Sequence, residues 1–337
     1  MKILFQNPTY GSGIEQVGYV FLLLLKKLGH ELDLWNTQCA NEQELKISGI
    51  IGDYDVVVLN AAQKESFDRM IKQPADNIFN ISHDGTALPP FCKQLSLNYL
   101  HQYKFLGVQN GGSGEGVLFP VTYPYAHKKT EFSEDRPYKF GSVGRWCKEK
   151  FHPDVKKFME ENGIKLDYVI TNRVDEGYSP DSIAKVGFRD ANVGQIEEYF
   201  RKTKYLLVPS TTECITLVAG EALANGCIPV TLESSGKEHE QFVNCITADS
   251  VQKFNEIVAG LDANGLDAKG INRRRAFEFT NKMWSIEKSL EELGTIFGAG
   301  KKGIVRVFSD DNAINGPGFR KTLPYINATI ITGETAE

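Results

Sequence analysis

The chain has 337 residues, which is enough for two domains of about 150 residues each. Hydrophobic residues make up 41% of it and charged residues 24%, values typical of globular proteins that exclude a disordered chain. The formal net charge of -5 excludes a general electrostatic attraction to nucleic acid or to anionic membranes.

Short apolar runs alternate with helical stretches through the first half of the chain. The pattern predicts a helix over 14–28, after a glycine loop, and strands over 2–6, 31–35, 55–60, 77–82 and 104–108. Strands that alternate with helices indicate parallel βαβ units and a doubly wound sheet. The proline-containing segment 119–137 has no clear period, and we predict that it is a linker.

A second alternation follows this linker. We expect strands over 139–143, 166–171, 205–209 and 228–232, and helices over 153–162, 194–202, 216–225, 251–261 and 268–297. The predicted fold class is α/β, with two Rossmann-like domains whose parallel sheets face each other across a cleft. We expect the domains over 1–136 and 137–300, and a tail over 301–337 whose structure the pattern does not predict.

Neither a metal motif nor a targeting segment is evident. The six cysteines include no CxxC pair, so the spacing of a zinc site is lacking. The N-terminal apolar run turns polar at Gln6, too soon for a secretory signal, and the run Val20–Leu25 is too short to span a membrane. We therefore expect a cytoplasmic protein with reduced thiols, no metal site and no transmembrane segment.

Ligands of open α/β sheets bind beyond the carboxyl ends of the strands, and cations follow one strand of the second half. Gly144, Arg145 and Lys150 come directly after the strand predicted over 139–143. A guanidinium fork and an ammonium group at this position suit a phosphate. The alternative is a solvated cluster of loop charges.

Two glutamates follow the strand predicted over 205–209. Thr216 is expected to open a helix, so the backbone amides of Cys214–Val218 would form an anion site that suits a diphosphate. Glu213 precedes this helix and Glu221 lies inside it, and both carboxylates are able to accept hydrogen bonds from sugar hydroxyls. Alternatively, Glu213 complements the helix dipole and Glu221 is an ordinary exposed residue.

Candidate residues of the first half follow the strands predicted over 77–82 and 2–6. His83 is placed to contact a sugar or an acceptor, and Asp84 to orient it or to act as a base. A satisfied histidine beside a turn-capping aspartate is the alternative. The loop Gly11–Gly13 allows close approach to a donor phosphate or an acceptor, or it is a tight turn only.

Taken in chain order, the candidate residues of the second half resemble the donor half of glycosyltransferase family 4 and its GT-B relatives. The resemblance rests on Gly144-Arg145-x4-Lys150 followed by Pro209-Ser210-x2-Glu213-x7-Glu221-Ala222-x3-Gly226-x2-Pro229. It implies a GT-B fold and a retaining glycosyltransferase that uses a nucleotide-diphosphate sugar, a UDP-sugar, as co-substrate.

The resemblance also implies roles for individual residues. Arg145 and Lys150 would bind the diphosphate and stabilise the departing charge. Glu221 would hold the ribose and Glu213 the transferred sugar. Further donor contacts would come from Gly13, Ser210, Cys214, Ile215, Thr216 and Leu217.

No carboxylate pair suited to a double displacement is recognisable in the sequence. We therefore predict a front-face route, in which the leaving phosphate accepts the proton of the acceptor hydroxyl. The two cations would do the work of a magnesium ion, so no cofactor is expected to be required.

A narrower resemblance concerns the DNA α-glucosyltransferase of T-even phages. It rests on His83-Asp84, on Arg145-x4-Lys150, and on Gly226-Cys227-Ile228-Pro229-Val230 with Ser234-Ser235-Gly236. It implies hydroxymethylated DNA as the acceptor, and the basic runs Arg273–Arg275 and Lys301–Lys302 would then contact phosphates. A glycan, a lipid-linked sugar or a small molecule is the alternative acceptor.

Two other functions fit the same residues. One is a sugar-nucleotide-binding or phosphosugar-binding protein without transfer activity, and the other is an epimerase of GT-B fold. A dehydrogenase is excluded because the first loop, residues 7–13, lacks the GxGxxG fingerprint of a dinucleotide site.

Overall fold

The chain leaves its first unit at residue 128 and returns to it at residue 284, so the second unit is the continuous segment 129–283. The computed structural model describes residues 1–8, 13–37, 47–60, 64–72, 77–82, 93–96, 116–118, 131–189, 191, 193–211, 216–233, 245–264, 272–283, 285–309 and 329–332. This division differs from the expected one in placing 284–300 and the tail with the first unit.

The first unit begins with strands and helices in alternation. The strands are β1 (Lys2–Pro8), β2 (Glu31–Thr37), β3 (Val56–Asn60), β4 (Ile78–Ser82), β5 (Lys93–Ser96) and β6 (Gly116–Leu118). The helices are α1 (Gly13–Lys27) and α2 (Lys64–Met70). The first four strands agree with the prediction, whereas the predicted strand 104–108 lies outside the described residues.

The second unit repeats the alternation. Its strands are β7 (Tyr138–Val143), β8 (Tyr168–Thr171), β9 (Gly187–Arg189), β10 (Thr203–Val208), β11 (Ile228–Leu232) and β12 (Ile246–Ala248). Its helices are α3 (Pro153–Glu161), α4 (Val193–Lys202), α5 (Leu217–Ala224), α6 (Val251–Asn264) and α7 (Arg273–Met283).

The return to the first unit corrects the expected single helix over 268–297 and adds strands that the pattern did not predict. Helix α8 (Ile286–Phe297) is separate from α7, because the Ser285 hydroxyl caps it by accepting from the Lys288 amide at 3.0 Å. The described parts of the tail include two strands, since β13 (Ile304–Ser309) pairs with β2 and with β14 (Thr329–Thr332). Both ladders are parallel.

The described strands form two parallel sheets. The sheet of the first unit has the order β14-β13-β2-β1-β3-β4-β5-β6, and that of the second unit has the order β12-β11-β10-β7-β8-β9. Burial on both faces explains the continuous apolar runs, since every residue of β3 is buried. Among the described helices, none combines the length and the apolar character that a membrane span requires.

Arg136 joins the start of the second unit to its core. Its buried guanidinium donates to the carbonyls of Phe200, Thr203 and Asn225 at 2.8–2.9 Å. Gly226 leaves room for it, because a β-carbon there would lie 2.4 Å from Nη2 of Arg136. The second unit therefore begins before residue 137, since Arg136 already belongs to it.

Candidate functional site

The topology of the second sheet locates a site. From β7 the chain runs outward to β8 and β9, then crosses to β10 and continues outward on the other side to β11 and β12. The strand order reverses between β7 and β10, and ligands of open α/β sheets bind at such a switch point, beyond the carboxyl ends of the strands. The loops that follow β7 and β10 hold the residues predicted to bind a donor.

Hydrogen bonds fasten these two loops together. The carbonyl of Glu149 accepts from the backbone amide of Thr211 at 3.0 Å and from the hydroxyl of Ser210 at 3.1 Å. The amide of His152 donates in return to the carbonyl of Pro209 at 3.1 Å. The segment that carries Arg145 and Lys150 is thereby held beside the segment that leads into α5.

The loop after β7 is also fixed to the loop after β8. Trp146 forms a parallel bridge with Val174, in which its amide donates to the carbonyl of Arg173 at 2.8 Å. The buried indole of Trp146 stacks on Phe151, with ring centroids 4.4 Å apart. Gly144, with φ of 138°, makes the turn between β7 and this anchor, so glycine is favoured there.

The predicted cations lie on this fixed loop. Arg145 is exposed and Lys150 is half-buried, and the exposed Lys148 lies between them in the sequence. The pKa of the Glu149 carboxyl lies below its ordinary value, mainly because of hydrogen bonds from its own backbone amide and from Cys147, with Arg145 and Lys148 contributing. The groups around this loop therefore stabilise the ionised form of the Glu149 carboxyl.

Helix α5 begins on the other side of the joined loops. It starts at Leu217, directly after the buried Thr216, and the first turn carries no charged side chain. The first amides of a helix lack partners inside it and form its positive end. Thr216 and Leu217 therefore lie at a helix terminus, as predicted. The Ser210 hydroxyl donates its hydrogen bond to the carbonyl of Glu149.

Glu221 is half-buried in the second turn of α5. Burial raises the pKa of its carboxyl to about 8, and the nearby carboxylate of Glu197 on α4 contributes to the shift. Glu197 is itself buried. Glu197 was not predicted from the sequence, because it lies in a helix rich in polar residues and its burial has no sequence signature.

Three side chains near the loop after β7 form a group with metal-ligand atoms. Cys147, Glu149 and Asp175 bring one such atom each to within 4.8 Å of the others. The thiol of Cys147 hydrogen-bonds to Glu149, and Asp175 pairs with Arg173 at 3.4 Å. These contacts engage the side chains of the group with neighbouring residues.

Several predicted residues lie outside the described part of the chain. They are His83, Asp84, Glu213, Cys214 and Ile215. The strand β4 does end at Ser82, directly before His83, and Gly13 is the first residue of α1. Their proposed contacts therefore stay predictions.

The strand ends of the first unit fix the start of α1. At the carboxyl ends of β1 and β3, the buried side chain of Asn60 donates to Oδ1 of Asn7 at 2.6 Å. Gly18 of α1 packs directly on this pair, since a β-carbon there would lie 2.1 Å from Oδ1 of Asn7. Nδ2 of Asn7 also donates to the carbonyl of Glu15 at 3.3 Å, so these contacts hold the first turns of α1 against the strand ends.

The basic run of α7 is engaged inside the second unit. Arg273 lies over the ring of Tyr205 at 5.4 Å, and Arg274 pairs with Glu134 at 3.5 Å and lies over Phe132 at 4.8 Å. These contacts give both arginines a structural role, in addition to the phosphate contacts that the phage resemblance implies.

Comparison with known proteins gave no match to a family model and no match to a curated protein. The structure nevertheless resembles solved glycosyltransferases. Alr3699/HepE of Anabaena, in complex with UDP, matches with a TM-score of 0.64 and 14% identity, over 88% of this chain and 99% of that chain. WaaG, a glycosyltransferase involved in lipopolysaccharide biosynthesis, matches with a TM-score of 0.61 and 12% identity, over 89% and 100%.

AviGT4, a glycosyltransferase involved in avilamycin A biosynthesis, matches with a TM-score of 0.59 and 15% identity, over 88% of this chain and 96% of that chain. Identities this low establish the fold alone. The two parallel α/β units and these neighbours show that the chain has the GT-B fold, as predicted.

Proposed function

We propose that the chain is a retaining glycosyltransferase that transfers a sugar from a UDP-sugar to an acceptor hydroxyl. One observation carries the proposal: the loop with Arg145 and Lys150 is hydrogen-bonded to the segment before α5, at the switch point of the second sheet. HepE, which shares the fold, has been solved with UDP and with UDP-glucose, which supports this class of donor.

The donor diphosphate would lie between the two joined loops. Arg145 and Lys150 supply positive charge from one side, and the N-terminus of α5 supplies its amides from the other. Charge develops on the phosphate as the sugar leaves, so groups held in advance at this position stabilise the transition state. The hydrogen bonds accepted by Glu149 keep that arrangement rigid.

The two glutamates would bind the rest of the donor. Glu221, half-buried in α5, would accept hydrogen bonds from the ribose hydroxyls, and Glu213 would contact the transferred sugar. Burial raises the pKa of Glu221, and hydrogen bonds from the ribose hydroxyls would stabilise its ionised form in place of the water that burial removes. The backbone at 214–217 would complete the donor contacts.

We further propose that the first unit carries the acceptor and the second unit the donor. His83 and Asp84 would contact the sugar or the acceptor from the loop after β4. The reaction would follow the front-face route: the bond from the sugar to the diphosphate breaks while the acceptor oxygen bonds to the same face. The acceptor proton passes to the leaving phosphate. This transfer removes the positive charge that develops on the acceptor oxygen and reduces the negative charge on the phosphate.

The experiment is a mass measurement. Incubation with a panel of nucleotide sugars and either a glycan mixture or hydroxymethylated duplex DNA should add one hexose mass to an acceptor. Analysis of the anomeric configuration of the product tests retention, since inversion would refute the front-face route. A gain on DNA would assign the acceptor that the phage resemblance implies.

The Glu213→Ala variant separates an enzyme from a binding protein. An enzyme should lose turnover by several powers of ten, whereas a binding protein transfers nothing and should keep most of its affinity for the ligand. Conversion of a nucleotide sugar in the absence of any acceptor would point instead to an epimerase.

A further inference from the structure

A cavity of about 450 Å³ lies in the first unit where α1 ends and β2 begins. Four of the residues that line it are lysines: Lys26, Lys27, Lys301 and Lys302. Two leucines and three glycines complete the lining, and none of the lining residues is acidic. The parallel strands begin near this cavity. It therefore lies at their amino ends, opposite the carboxyl ends at which Asn7 and Asn60 lie.

Backbone contacts hold the two lysine pairs in place. The segment after α8 crosses the turn after α1, where the amide of Gly300 donates to the carbonyl of Leu28 at 2.7 Å and that of Lys302 to Gly29 at 2.9 Å. A β-carbon on Gly300 would lie 2.1 Å from the carbonyl oxygen of Gly29. The crossing therefore requires glycine and fixes Lys301 and Lys302 opposite the end of α1.

The carboxyl end of α1 is the negative end of its dipole, and the lysines of the cavity offset it. Its last carbonyls, those of Leu24, Leu25 and Lys26, accept hydrogen bonds from residues 28–30. The carbonyls of Leu28 and Gly29 are occupied by the crossing segment. Lysine charge therefore dominates the field in the cavity.

Interactions with neighbouring residues engage some of these lysines. Lys302 pairs with Glu31 at 2.8 Å, and the lysine side chain is 64% exposed. The pKa of Lys26 is lowered mainly by burial, and like-charge repulsion from the neighbouring Lys27 adds to the shift. A bound anion would relieve that repulsion.

We propose that this cavity is a binding site for the phosphate chain of a small oligophosphate. Lysine ammonium groups bind phosphates as point charges, and two pairs from separate segments suit consecutive phosphate groups. Leu23 and Leu28 contribute an apolar part to the cavity. Lysines that converge on a concave site fit a compact ligand better than a flat membrane or a duplex, which require charges spread over a surface.

The test is calorimetric titration of the full chain with inorganic tripolyphosphate, with UDP present to fill the candidate donor site. Lys301→Gln with Lys302→Gln should weaken tripolyphosphate binding at least tenfold. Lys72→Gln with Lys282→Gln removes the same charge from two exposed lysines outside the cavity and should change affinity less than twofold. Circular dichroism of both double variants verifies folding.

A second arm identifies the source of the phosphates. Equal affinity for tripolyphosphate and ATP would show that the chain of phosphates alone is recognised, and tighter binding of ATP would assign a nucleotide. The proposal is overturned if tripolyphosphate does not bind, if both double variants bind it equally, or if only duplex DNA or phosphatidylglycerol vesicles show the lysine dependence. If UDP did not bind, that result would count against the proposed transferase. The comparison of the two double lysine variants with tripolyphosphate would remain valid without UDP.

Discussion

Three cations share the loop after β7, and only two of them are expected to act on the donor. We expect Arg145→Ala and Lys150→Ala each to lower kcat/KM by about 10²–10³-fold, because each removes charge that stabilises the departing diphosphate. Lys148→Ala removes the same charge as Lys150→Ala from an exposed position between them and should stay within about threefold. Initial rates measure this, and equal losses in all three variants would contradict the assignment.

Glu221 should make the unfolding free energy depend on pH. Its pKa is about 8 in the folded protein against an ordinary value of 4.5, so the folded state holds the proton more tightly than the unfolded state between these values. Unfolding free energy should therefore fall as pH rises through this window, by on the order of 2 kcal/mol after allowance for partial solvent contact. Glutamine mimics the protonated form and should remove this loss.

Chemical denaturation of the wild type and of Glu221→Gln between pH 4.5 and pH 8 measures the difference. We expect the advantage of the variant to grow with pH and to vanish at the acidic end. UDP should bind the wild type more tightly as pH rises, because the ionised carboxylate is the better acceptor for ribose hydroxyls. A constant difference between the two proteins would show that Glu221 does not titrate in this range.

At the scale of elements, two helices of the second unit end in a glycine with positive φ, and only one of these glycines is crowded. Gly226 has φ of 74° and lies against the guanidinium of Arg136, whereas Gly163 has φ of 65° and open space around its α-carbon. Gly163→Ala should cost about 1 kcal/mol for backbone strain alone. Gly226→Ala should cost at least twice as much, because it also displaces Arg136.

Thermal unfolding of the two glycine variants measures this difference. The additional loss should shrink in the Arg136→Ala background, where the ring of Phe132, 2.9 Å from the position of a β-carbon on Gly226, still crowds it. An additional loss that is unchanged in that background would show that Arg136 is not its cause.

The elements also show what sequence patterns reveal about such a fold. The early strands and β7, β10 and β11 were predictable, because buried parallel strands are continuous apolar runs. The break between α7 and α8 was missed, since Ser285 is its one start signal within a helical pattern. The rule that ligands bind beyond strand ends indicated the loops of the candidate site. The hydrogen bonds that join these loops through the carbonyl of Glu149 were not predictable, because they are made largely by backbone groups and do not depend on residue type.

At the scale of the whole molecule, the first unit depends on contacts between its two distant segments. Arg306 on β13 donates to the buried carboxylate of Asp33 on β2 at 2.6 and 3.0 Å, and Asp33 also accepts from the hydroxyl of Tyr54 at 2.8 Å. Pairing over this sequence separation has no local signature, which is why the pattern left 301–337 without a predicted structure.

Removal of Arg306 tests this dependence. Arg306→Ala should destabilise the first unit by about 3 kcal/mol, because it leaves a buried carboxylate without its cation. Lys202→Ala breaks an exposed ion pair with Glu198 and should cost less than about 0.5 kcal/mol. In calorimetry, Arg306→Ala should move the transition of the first unit, and Gly226→Ala that of the second. A single transition that both variants shift equally would show that the two units unfold together and not independently.

The pairing of β13 with β2 has a consequence for synthesis. A ribosome releases the chain from its N-terminus, so residues 129–283 emerge whole and are able to fold while the first unit still lacks α8 and β13. During that interval the outer edge of β2 has no partner strand, and an unpaired edge of this kind invites association with other chains. A chain truncated at residue 303 and released from the ribosome should therefore resist proteolysis in the second unit and be captured by chaperones through the first.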